Sequence, residues 1–136
     1  MATTALLALT VLLSGAPKGD DAKPYAIDVA GTTLQVKTGK EGVLKLQIKP
    51  AKGYHVSAEA PLKIALTAPG LALKKKALGH DDASEKAAAA PKFEVGFGAG
   101  ESGKRTIEAD AMFFVCSETV CEKKTEKLSV DVDVQP

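Results

Sequence analysis

Two stretches late in the chain alternate apolar and other residues with a period of two, and little besides a β-hairpin can accommodate them. Ile107, Ala109, Ala111, Phe113 and Val115 alternate with Glu108, Asp110, Met112 and Phe114. Leu128, Val130, Val132 and Val134 alternate with Ser129, Asp131 and Asp133. Successive side chains of a strand point to opposite faces, so each stretch predicts a strand with one buried face. The pair predicts a hairpin with a long connection of about nine residues. Cys116 and Cys121, the only cysteines of the chain, lie at the ends of that connection.

The rest of the chain reads the same way. Residues 25–29 alternate, and residues 32–37 form a second short strand with Leu34 and Val36 on one face. Leu44, Leu46 and Ile48 alternate with Lys45, Gln47 and Lys49 until Pro50 ends the run. Leu62, Ile64 and Leu66 give another strand, closed by Pro69-Gly70; Leu71-Ala72-Leu73 is a short one, and Phe93, Val95 and Phe97 follow. Residues 79–90 read as a loop, because Pro91 stops the Ala-rich run before it can become a helix. Seven to nine short strands with turn signals between them and no amphipathic helix predict an all-β fold, an immunoglobulin-like β-sandwich.

A length of 136 residues holds one domain with a modest core. The chain has no Trp and only 4% aromatic residues, so Val, Leu, Ile and Ala must fill that core. A net charge of +1 gives nucleic acid no bulk attraction. Residues 1–16 carry no charge and hold the apolar run 5–13, too short to span a bilayer and suited to the centre of a secretory signal. Ser14-Gly15-Ala16 supplies the small-x-small cleavage pattern. The expectation is a signal peptide over 1–16, a disordered leader over 17–24 and a sandwich over 25–136. The mature chain would then be periplasmic or secreted, with no membrane span. In such a compartment two neighbouring cysteines are expected to be oxidised.

A disulfide between Cys116 and Cys121 would close a ring of about six residues, for which loop-closure arithmetic gives about 2 kcal/mol, against about 4.7 for a ring of about one hundred. A brace placed for stability does better between distant strands, so the small ring favours a bond that is made and broken. A loop-tightening disulfide in a pure binding module is the competing reading. Alternation puts Cys116 on the outer face with Met112 and Phe114, where another protein could reach it. Lys123 and Lys124 favour a thiolate while Glu118 and Glu122 oppose it. The near-cancellation predicts a pair suited to being attacked by a partner.

These residues resemble a known family. Gly53-Tyr54-His55-Val56, followed by a proline and an alternating strand, is similar to the early half of the N-terminal periplasmic domain of DsbD-type thiol:disulfide interchange proteins. The late hairpin, with aromatics before the first cysteine and a short cysteine-to-cysteine loop, resembles that domain's active site. The resemblance covers about residues 25–134. It implies an immunoglobulin-like domain that exchanges disulfides with thioredoxin-like or DsbD-like partners. Cys116 and Cys121 would be the redox pair, and Cys121 would form the mixed disulfide.

Other chemistries find less in the sequence. His55, His80, Met112, Cys116 and Cys121 are ligand types for copper or zinc, but their spacing matches no familiar site. No metal or other cofactor is therefore expected. A cysteine hydrolase would need a histidine base beside one cysteine; the reading places His55 at a strand edge and His80 in a solvated loop. Lys74-Lys75-Lys76 reads as a solvated strand end, and no glycine-rich phosphate loop or paired carboxylates stand out.

Overall fold

The computed structural model describes residues 23–85 and 89–136. Among these residues ten strands build two sheets. The first sheet has the order β1 (Tyr25–Asp28), β3 (Glu41–Pro50), β8 (Lys92–Ala99), β6 (Leu71–Leu73). The second runs β2 (Gln35–Lys37), β10 (Cys121–Gln135), β9 (Gly103–Cys116), β5 (Lys63–Thr67), β7 (Ala77–Leu78), with β4 (His55–Val56) also paired to β9. All pairings are antiparallel except β2 with β10, which is parallel. The chain is an immunoglobulin-like β-sandwich. The expected signal and almost all of the expected leader lie outside the described residues. No helix among the described residues is long and apolar enough to cross a membrane.

The alternating residues meet between the sheets. Leu44, Leu46, Ile48, Phe93, Val95 and Phe97 of one sheet face Ile64, Leu66, Ile107, Phe113, Val115, Val130 and Val132 of the other, all buried. Apolar area removed from water stabilises at about 25 cal/mol per Å², so this shared layer holds the two sheets together.

Two predicted elements differ from those observed. Leu34 does not share the buried face with Val36: it is 55% exposed, and β2 begins only at Gln35. Thr32 and Thr33 cause this. The Thr32 hydroxyl donates to Lys45 O and accepts from Lys45 N–H, both at 3.0 Å, and the Thr33 N–H donates to Val43 O at 2.9 Å. The threonines thus bind the chain to β3 before it crosses to β10, where Asp133 N–H donates to Leu34 O at 2.8 Å. The period of two breaks at that crossing.

The hairpin is also tighter than expected. β9 and β10 pair without a bulge from Gly103↔Val134 to Cys116↔Cys121, leaving only residues 117–120 as the loop. Residues 122–127, Glu-Lys-Lys-Thr-Glu-Lys, carry no apolar alternation and still belong to the strand. Their core-facing side ends in polar partners: the Tyr25 hydroxyl donates to Glu126, and Lys23 pairs with the same carboxylate. The Tyr25 ring meets Phe113 edge-on with centroids 5.0 Å apart, closing this end of the core.

Candidate functional site

The loop at the hairpin tip is knotted by one serine. The Ser117 N–H donates to Val120 O at 2.8 Å, and the Ser117 hydroxyl oxygen accepts from the N–H groups of Thr119 (3.3 Å) and Val120 (3.2 Å). Ser117 and Val120 therefore stand in the place of a hydrogen-bonded pair, joined by one backbone bond and one through the serine hydroxyl. Antiparallel ladders alternate such pairs with non-hydrogen-bonded ones whose side chains lie closer. Cys116 and Cys121 fall on the closer kind, with Cα atoms 4.0 Å apart, and are joined in a disulfide. Both cysteines of the chain are used in it.

The other side of Cys116 is covered from far away in sequence. β3 ends at Pro50, and a tight turn closed by Tyr54 N–H donating to Ala51 O at 3.0 Å swings the chain into the second sheet. Gly53, at φ +85°, supplies the left-handed position that a turn of this kind needs. β4 then lies beside β9, with His55 opposite Cys116 and Val56 opposite Val115, and the Ser57 N–H donates to Phe114 O at 2.9 Å. His55, Cys116 and Cys121 thus form one row across the sheet.

This arrangement corrects one expectation. Alternation predicts an outward-facing, reachable Cys116, but the residue is only 3% exposed. Its direction is as read; β4 on one side and the bond to Cys121 on the other turn an outward position into the middle of a sheet. Cys121 is exposed, as are His55 and the loop residue Val120. The disulfide is therefore asymmetric, with one sulfur-bearing residue open to solvent and the other enclosed.

His55 is at a strand edge as expected, yet that edge adjoins the cysteines, which the sequence did not indicate. The only local hint was the turn chemistry of Lys52-Gly53 just before it. His80 is not in a fully solvated loop: it opens a single 3-10 turn (His80–Asp82), is half-buried, and bonds through Nε2 to Ala60 O at 2.6 Å. Among the described residues no three His, Cys, Asp or Glu side chains cluster as metal ligands.

Charge around the disulfide is sorted by the pleat. Lys123 pairs with Phe114 in the ladder and shares the outer face with Cys121. Glu122 and Lys124 belong to the other face and bond each other at 2.8 Å. Met112, on the outer face two positions from Phe114, lies between Lys63 of β5 and Thr125 of β10. A shallow cleft of about 290 Å³, lined by Asp110, Ala111, Met112, Thr125, Glu126 and Lys127, continues this face away from the disulfide.

No family model and no curated protein matches the chain. Solved structures share its general shape at low identity. Domains 4 and 5 of the S-layer protein SbsC align with a TM-score of 0.47 and 17% identity over 82% of this chain, which spans about half (51%) of that pair. A conjugative transposon lipoprotein from Bacteroides eggerthii aligns at 0.49 and 12%, covering 82% of this chain and 98% of the other. A cohesin module from a Clostridium perfringens family 33 glycoside hydrolase aligns at 0.46 and 13%, covering 84% and 98%. These likenesses concern the sandwich alone.

Proposed function

We propose that the protein is an exported thiol:disulfide exchange domain that works through Cys116 and Cys121, with thioredoxin-like or DsbD-like proteins as partners. The carrying observation is the asymmetric disulfide at the hairpin tip: a small ring, an exposed Cys121 and an enclosed Cys116. The resemblance to the N-terminal domain of DsbD-type proteins points to the same pair and the same attacked sulfur.

The exchange runs in two steps. A partner thiolate attacks Sγ of Cys121; the intermolecular S–S bond forms as the bond to Cys116 breaks, and Cys116 leaves as a thiolate and takes a proton. A second partner thiolate then attacks its own chain's sulfur in the mixed disulfide, and Cys121 leaves and is protonated. Two electrons and two protons have passed to this chain, and the partner is left as a disulfide. Run in reverse, the reduced pair hands them on. Cys116 sheltered in the sheet keeps the second sulfur from competing for the incoming thiolate.

The test is a trap. Cys116→Ala leaves Cys121 without its resolving neighbour, so mixed disulfides with periplasmic thiol proteins should accumulate through Cys121, and Cys121→Ala should trap far less. Against a glutathione buffer the wild-type bond should show a potential above about −300 mV, the region below which structural disulfides fall. A bond that resists reduction in the folded protein, with no partner trapped, would leave the alternative of a binding module with an inert disulfide.

A further inference from the structure

The outer face around Cys121 has a definite charge, and the charge defines the partner. We infer that this face is a docking surface for a thiol protein whose attacking cysteine is ringed by acidic side chains; the inference rests on the exchange reading above. From sequence, two lysines and two glutamates near the cysteines cancel. In the fold they are sorted by face, and a further lysine, Lys63 of β5, joins the outer one. Glu122 and Lys124 neutralise each other on the core-facing side. Lys127 is paired with Asp110 at 3.8 Å.

Lys123 and Lys63 remain, both exposed and neither paired with a carboxylate among the described residues. They flank the half-buried Phe114 and Met112, which lead along β9 to Cys116. His55 adds a polar ring on the same row as the disulfide. Glu118, in the loop, is an opposing charge at the tip.

A central pair of apolar side chains with a cationic margin fits a partner of the reverse polarity. The apolar centre removes water from the contact. The lysines steer an anionic rim toward Cys121. A cationic partner face would meet like charge at both lysines.

Three small thiols read this field without needing the partner: glutathione (anionic), 2-mercaptoethanol (neutral) and cysteamine (cationic). Rates of disulfide opening in the whole protein are normalised to thiolate concentration and to the same thiols acting on a neutral model disulfide. Glutathione should gain at least about threefold over cysteamine at low salt, the factor expected of one unit charge at about 6 Å in water. The gain should shrink toward unity in about 0.5 M salt. Lys63→Glu with Lys123→Glu should invert it, and Glu118→Gln should enlarge it. The milder Lys63→Ala with Lys123→Ala, which should abolish the gain, covers the case where charge reversal disturbs folding. A bond that opens at rates blind to thiol charge and salt overturns the docking surface and leaves the exchange reading standing. A bond that none of the three thiols opens overturns both.

Discussion

A missing side chain at Gly42 is as consequential as any side chain in the core. The residue sits opposite Phe97 in the β3–β8 ladder, and a Cβ built there would lie 2.4 Å from Phe97 Cζ and 2.7 Å from Cε2. Phe97 is fully buried, so its ring has nowhere to retreat. Gly42→Ala should therefore destabilise the fold by about 1–3 kcal/mol, the usual cost of overpacking, read as a lower midpoint in urea with an unchanged slope. An unchanged midpoint would mean that Phe97 has a second position. At the same scale lies the limit on reading Cys116. Alternation fixes which way its side chain points, because the ladder runs without a bulge. Its burial depends on His55, some sixty positions earlier, and no local pattern around the cysteine announces that strand.

Among the elements, β10 shows what patterning reveals and what it hides. Its second half was legible because Val130, Val132 and Val134 fill the core. Its first half was not, because the matching face there meets Lys23 and Tyr25. The polar closure has a pH signature. Hydrogen bonds from Lys23 and Tyr25 hold the Glu126 carboxyl below the usual carboxylate range. Burial, and then the Glu126 carboxylate, push the Tyr25 phenol well above its own. A carboxyl with a depressed native pKa adds stability that is present above its unfolded value and lost as pH falls through the native one. The melting temperature should thus fall progressively below about pH 5, where an ordinary glutamate starts to protonate. Glu126→Gln should flatten part of that drop. Asp28 and Asp82 are lowered too, mainly by Lys49 and Lys75 respectively, but as screened surface pairs they should add little to that slope. If the variant keeps the full acid slope in a melting series from pH 7 to pH 3, the Glu126 cluster does not tie β1 to β10.

For the molecule as a whole, the sandwich was legible because one face of nearly every strand is apolar and the turns carry Gly and Pro. What the sequence left open was which strands become neighbours: β4 beside β9, and β2 parallel to β10, are long-range pairings without local signatures. The disulfide links two residues that the ladder already aligns, so reduction should leave the fold intact. The cost should be about 2 kcal/mol, and the far-ultraviolet dichroism of the reduced protein at 25 °C should match that of the oxidised form. A cooperative collapse on reduction would make the bond a brace.

The length of the final hairpin also sets where an experimenter can take hold. Cys121 and Gln135 are the two ends of one fifteen-residue strand. At about 3.3 Å per residue they lie about 46 Å apart. The Gln135 end is clamped by Lys37 of β2. A fluorophore, affinity handle or bead fixed at Gln135 would therefore sit at the opposite pole from the sulfurs, leaving the approach to Cys121 unobstructed.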